Sequence, residues 1–375
     1  MKERVLRLVG LMMSIVLMVT LLAACGGGGG DASPTPTTSS PPASSAPADD
    51  RVFDVDINVT LGEPVSPSWA QLFRDLETRS DGRLKVTVHW SQGLLTIPEI
   101  PRGVGTGQAQ FSNLPTPNYP DTLPLNCRIL QLPFMGLREP NESAEIWMQL
   151  YDEFDEMKEE MAEFNIMAIA ATTLGVYDLH FIDKNPVRVP ADLSGRQIVP
   201  YSTEFLPVLQ KYNAAGTYIP PGQIYESLER AVVDGYVNNW AFKGWFGLSD
   251  LINQSVKLSD YGAFQEFNVL ILNLDFYNGL PADLQQLWID MFRTERGYAK
   301  MWQDTADLVA NEIAKAEEKG NLFIDLTPSE RQLWVDEFAD SHENAIAEIN
   351  EQRGDTVATD IYNRAREIID QKYGS

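Results

Sequence analysis

Cysteine and histidine are nearly missing from this chain: two cysteines and three histidines in 375 residues. If Cys25 belongs to an N-terminal leader, only Cys127 remains and no intrachain disulfide can form. Flanked by Asn126 and Arg128 just before the apolar Ile129–Met135, Cys127 reads as a buried small hydrophobe with no histidine nearby to activate it. His89, His180 and His342 are too scattered to suggest a metal set. The chain lacks H-E-x-x-H, G-x-S-x-G and a Walker loop, and Gly103, Gly105 and Gly107 lack the spacing of a phosphate cradle. Carboxylates abound, yet none stands in a pattern that singles out an acid–base pair. These absences argue against an enzyme, a metal or a cofactor. Basic residues are also scarce, 29 Lys and Arg against 53 Asp and Glu, a net charge of −24. Such a field disfavours nucleic acid and suits a solvated surface.

One long apolar run is present, Leu8 to Leu22, somewhat short of the ~20 residues that span a bilayer. Lys2, Arg4 and Arg7 precede it, and Ala23-Ala24-Cys25 followed by five glycines closes it. This is the layout of a bacterial lipoprotein leader, with Cys25 as the acylated residue of a chain lipid-anchored to the outside of a bacterial membrane. Residues 26–50 are Gly, Ser, Thr, Pro and Ala without apolar periodicity, so a disordered tether is expected. As a flexible coil it would span roughly 25–30 Å.

The remaining chain exceeds what one core usually holds, which predicts two lobes. Its organising stretch is Val187 to Trp240. Short β-like runs (Gln197–Val199, Thr217–Ile219, Tyr236–Trp240) alternate with helical runs (Ser202–Tyr212, and a helix from Pro220 with Ile224, Leu228, Ala231 and Val232 on one face, closed by Asp234-Gly235). Strand–helix–strand alternation implies a parallel sheet, and ligands of such sheets sit at the carboxyl ends of strands. Pro200–Thr203 and Val237–Trp240 should therefore face one crevice.

Elsewhere, Phe53–Val59 and Leu84–Val88 alternate as half-buried strands around a helix opened by Ser66-Pro67. Residues 94–110 should hold a short helix, Phe111–Pro124 a proline-rich loop, and Asn141–Phe164 one long helix. Ile166–Ala171 reads as a buried strand, with the chain crossing between lobes near Gly175–His180. Phe267–Leu272 reads as a returning strand, followed by interrupted helix from Pro281 to Lys319. Phe323–Leu326 is a short strand, Thr327–Glu330 a capping box, and the tail helical.

Asp192-Leu193-Ser194-Gly195, followed by the Pro221–Leu228 helix and Val233-Asp234-Gly235, resembles the solute-binding subunits of TRAP transporters over roughly Phe53 to Phe292. The resemblance implies an α/β, two-lobed periplasmic-binding-protein-like fold with crossover strands, a hinge and a long helix toward the C-terminus. It places 51–174 with about 262–310 in lobe 1, and 175–261 with part of 311–375 in lobe 2. It further implies capture of a small organic solute, delivery to membrane permease subunits, and a cleft wall from the Phe111–Pro124 loop. The family's carboxylate-reading arginine aligns with Val199, a second arginine with Tyr177, and its asparagine with Asn238. Arg196, three residues before Val199, should point to the opposite face. What remains around the crevice is uncharged and aromatic: Trp69, Asn113, Tyr119, Tyr177, Tyr201, Asn238 and Trp240, while Val199, where the arginine would stand, reads as plain core or as part of the binding set. Such walls suit an organic acid held without the usual arginine, or a neutral or aromatic compound. His180 is expected at the surface, the other reading being that it points into the crevice beside Tyr177. A binding protein for an ATP-driven importer or sensor, and a cell-surface enzyme, are the other readings.

Overall fold

The computed structural model describes residues 50–62, 67–173, 175–295 and 297–374. The expected leader and tether, with Cys25, and the Ser66 cap lie outside the described residues. Among the described residues the strands form two sheets. The first is built from Phe53–Asn58 (β1), Leu84–His89 (β2), Phe111–Pro115 (β3), Ile166–Thr172 (β4) and Asn268–Asn273 (β10), in the order β2-β1-β3-β10-β4. β1 pairs in parallel with β2 and β3, whereas β10 runs antiparallel between β3 and β4. The second sheet is built from Asp178–Phe181 (β5), Gln197–Val199 (β6), Ala215–Gly216 (β7), Gly235–Asn238 (β8), Gln254–Val256 (β9) and Leu322–Ile324 (β11). Its order is β11-β9-β5-β8-β6-β7. β8, β6 and β7 are parallel, as the alternation in 187–240 predicts, while β5 is antiparallel to both β8 and β9.

Each sheet has its own core, so the fold is α/β and two-lobed. The first core takes Val55 and Ile57 from the alternating β1, stacked Phe111, Trp288 and Phe292, and Ile349, Ile361 and Ile369 from the helices Ala339–Arg353 and Val357–Tyr373. The second sheet is covered on both faces. Ile198 and Val237 point to one cluster, their neighbours Val199 and Tyr236 to another, the period-2 consequence of a pleated strand. The long helix Gly297–Lys319 packs on the helices Pro67–Arg79, of the first lobe, and Trp240–Trp245, of the second.

Several local expectations are corrected. Phe111–Pro115 is not loop but a fully buried central strand, because the amide of Asn113 finds partners inside the sheet. The helix expected from Asn141 to Phe164 is two, Pro140–Glu153 and Asp155–Ala162, broken where Phe154 turns extended. The apolar stripe runs through the break, Trp147 and Leu150 before it and Met157 and Met161 after it, so periodicity alone hides it. Pairing at Thr217–Ile219 moves back to Ala215–Gly216. The helix Ile224–Glu229 ends at Arg230, with Ala231 left-handed (φ 50°) and Val232 56 % exposed. Gly235 is therefore no cap but the first residue of β8, and Trp240 opens a helix.

The capping box at Thr327 is present: its hydroxyl accepts the Glu330 N–H at 3.3 Å, and the Glu330 carboxylate accepts the Thr327 N–H at 2.8 Å. Thr327→Ala should cost about 1 kcal/mol of stability, readable by urea titration.

Candidate functional site

Of the segments that cross between the lobes, two lie side by side, one through 175–177 and the other through 257–267; the chain crosses again through the helix Gly297–Lys319 and returns after Phe338. The direction of the first two follows from register: Asp178 faces Asn238 at the end of β8, and Asn268 faces Pro115 at the end of β3. Both crossings therefore join the carboxyl edges of the parallel strands, the position where α/β sheets hold ligands. They are also laced to each other, through the antiparallel bridge Val176–Gln265 and the Tyr177 N–H donating to Phe264 O at 2.9 Å.

On the first lobe's edge a polar chain is closed internally. Asn113 accepts the Thr60 N–H at 2.9 Å and donates to Thr60 Oγ1 at 2.6 Å and Asn268 Oδ1 at 2.8 Å. Asn268 donates on to Glu266 at 3.3 Å. Trp69 and Tyr119 are buried in the first core, the Tyr119 hydroxyl donating to Ile97 O.

On the second lobe's edge Tyr177 is buried, with Tyr201 edge-on at 6.0 Å. Val199 is core, packed with Tyr236, Ile224 and Leu248. Arg196 points away from it, pairing with Asp183 and lying over Phe181 at 4.7 Å. Asn238 is half-buried, its Oδ1 accepting the Asn239 N–H at 2.8 Å. Trp240 donates its indole N–H to Asp178 Oδ2 at 2.8 Å and stacks on Phe323 at 5.6 Å. Asp178 Oδ1 also accepts the Ser259 N–H at 2.8 Å. Burial nevertheless pushes the Asp178 carboxyl up to about 6, aided by Asp260. His180 is not a surface residue: fully buried, its ring nitrogens meet Ser255 Oγ at 2.8 Å and Asn238 O at 3.2 Å. Burial, then the charge of Lys243, lowers its pKa to about 3, so the ring is neutral.

Among the described residues, two of the cavities beside the crossings lie at the junction of the strands. One, about 490 Å³, is lined by Trp240, Asp178, Asn239, Val176, Lys257 and Ile313. The other, about 320 Å³, lies between Asn118, Arg128 and Gln131 of the first lobe and Tyr201, Glu204 and Tyr218 of the second. Of the eight residues expected at the site, Trp240 lines the first and Tyr201 the second, while Trp69, Asn113, Tyr119, Tyr177, Val199 and Asn238 line neither.

Sequence reasoning passes over Arg128, Tyr236 and Lys243. Arg128 lies within 3.4 Å of Glu204 and 2.9 Å of Glu348, so a guanidinium does stand between the lobes, already held by carboxylates. Lys243 is fully buried, 4.6 Å from the Trp240 ring centroid, and among the described residues neither its Nζ nor the Tyr236 hydroxyl has a hydrogen-bond partner. Burial lowers the Lys243 pKa to about 8, Lys319 and Lys315 acting with it and Glu312 against it. An isolated lysine five residues beyond Asn238 carries no sequence signal of this kind.

Paired lobes, double crossings and strand carboxyl ends turned toward the junction define a two-lobed binding protein. Residues 58–349 match the family described as bacterial extracellular solute-binding protein, family 7, and the chain belongs to that family. Its members are receptors for solutes, not enzymes. A solute-binding protein of Chromohalobacter salexigens is 22 % identical over 169 residues, 44 % of this chain and 48 % of that protein. The chain thus spans about half the length of this curated relative. The TRAP solute-binding protein of Rhodoferax ferrireducens, solved with copurified benzoate, superposes with a TM-score of 0.72 at 17 % identity, covering 85 % of this chain and 98 % of that one. The TRAP periplasmic solute-binding protein of a Sulfitobacter species, solved with β-D-galacturonate, gives 0.69 at 16 % identity, covering 84 % and 100 %.

Proposed function

We propose that this protein captures a small organic acid in the gap between its lobes and passes it to the membrane permease of a TRAP-type transporter, tethered through a lipid on Cys25. The observation that carries the reading is the pair of crossings that joins the carboxyl edges of both sheets, the geometry of a gap that closes on a solute by swinging two lobes together. An acid is favoured over a neutral solute because the ligands of the two structural relatives, benzoate and galacturonate, differ in everything but the carboxylate. Tyr201, Asn238 and Trp240 would form the walls of that gap, with Tyr177 and Val199 behind them.

A thermal-shift panel of acids and their neutral counterparts tests this: benzoate with benzamide, galacturonate with galactose, lactate with lactamide. At a hundredfold excess over Kd an acid should stabilise the protein by about 2.7 kcal/mol. Stabilisation by the neutral members alone, or by none, would refute the reading. The anchor has its own test: Cys25→Ala should move the protein from the membrane pellet to the soluble fraction.

A further inference from the structure

We propose that the solute's carboxylate is read by Lys243 Nζ together with the Tyr236 hydroxyl. This assignment rests on the organic-acid reading above. Lys243 and Tyr236 are both essentially inaccessible to solvent, and their polar atoms have no hydrogen-bond partner among the described residues. A buried ammonium without an acceptor is a costly arrangement, and a buried phenol with nothing to receive its proton is a second one, the charge of Glu312 reaching both groups. The charge of Glu312 reaches Lys243, but Glu312 makes no hydrogen bond to it. Glu312 is itself buried, with one oxygen taken by the Ser249 hydroxyl and the other by Lys315 Nζ at 2.6 Å.

Neither donor lines the two cavities described above; both lie near the carboxyl end of β8, Tyr236 within the strand and Lys243 in the helix that follows it. Tyr236 is the register partner of both Val199 and His180, so its ring lies on the sheet face where Val199 supplies no cation. Lys243 belongs to the helix that begins directly after β8, and helical side chains lean back toward the helix start. Its ammonium accordingly returns over Trp240, a residue that lines the cavity of about 490 Å³. The His180 ring lies 5.0 Å from both the Tyr236 and the Trp240 rings, and its nitrogens are engaged elsewhere. A compact ammonium plus one hydroxyl makes no fork, so it should accept carboxylates of varied orientation where a guanidinium would select one.

Calorimetric titration of whichever panel acid binds the parent (benzoate, galacturonate or lactate) decides the matter. Lys243→Met should weaken the acid about 10- to 100-fold and Tyr236→Phe several-fold, as expected for lost hydrogen bonds to a charged group, with the matched neutral compound unchanged. Unliganded Lys243→Met should melt at or above the parent temperature; a clear drop would mark Lys243 as a structural group and count against the assignment. If Lys243→Met does not fold, Tyr236→Phe, which removes one oxygen, is decisive by itself. Parent-like affinity for the acid in the variants overturns the Lys243–Tyr236 assignment and leaves the functional reading standing. Failure of every acid to bind the parent overturns both.

Discussion

Gly235→Ala is expected to destabilise the second lobe by about 3 kcal/mol, the upper end for overpacking a tight interior. A methyl group at this position would lie 2.3 Å from the His180 carbonyl oxygen and 2.5 Å from the Phe181 ring. The ring could turn aside, but the carbonyl is backbone of β5, the antiparallel neighbour of β8, and can give way only by parting the strands. Further along β8, Tyr236 lies in one core and Val237 in the other, so the damage reaches both faces of the sheet. Gly222→Ala is the control, since nothing lies within 4 Å of its missing methyl group. It should change stability by well under 1 kcal/mol. Urea titration of the unliganded protein compares the two, and equal midpoints would show that β5 and β8 are not so closely apposed.

The second large effect is one of pH. Asp178 has its folded pKa raised to about 6 from an ordinary 3.8, burial being the first cause. Between those values the folded chain binds more protons than the unfolded one, so stability falls as pH rises. The contribution is fully present below about 3.8 and lost above about 6, a difference on the order of 3 kcal/mol. Glu160 and Glu266, also raised chiefly by burial, act with the same sign. Opposing them, Glu153 and Glu330 are held down to about 2 by hydrogen bonds from Arg364 and Arg188, and their loss of stability is confined to more acid solution. His180, lowered to about 3, and His342, also lowered chiefly by burial, oppose the carboxyls across the same interval, because the unfolded chain takes up their protons as pH falls below about 6.5. The Asp178 share is therefore read by difference. Denaturation at pH 4.5 and pH 7 should find Asp178→Asn gaining on the order of 2 kcal/mol relative to the parent at the higher value, and an unchanged difference would assign the effect to the other carboxyls.

Much of the fold is legible in the sequence because its signals are local. The β1 alternation, the capping box at Thr327 and the parallel β6–β8 arrangement all follow from residues within a few positions of one another. What escapes depends on distant partners. Asn113 can sit in a central strand only because Thr60 and Asn268 satisfy its amide across the sheet, and neither is visible from Phe111–Pro115 alone. The break at Phe154 keeps the helical phase of the buried stripe, so no window detects it. The surface position expected for His180 fails for a similar reason: Ser255 and Asn238, which satisfy it, come from other strands. At the junction the carboxyl edges are readable from strand order, whereas the burial of Lys243 just past a helix start is not, since one lysine among many charged residues has no pattern.

The two crossings bridged at Val176 and Gln265 form a narrow woven strap, tied again where Gln265 Nε2 donates to Thr173 Oγ1 at 3.0 Å. A strap of that kind bends across its thin direction but resists being pulled or sheared, because either motion breaks several hydrogen bonds at once. A swing about the line of the strap spares those bonds, and the helix Gly297–Lys319, which packs on both lobes, is a further link that such a motion has to carry with it.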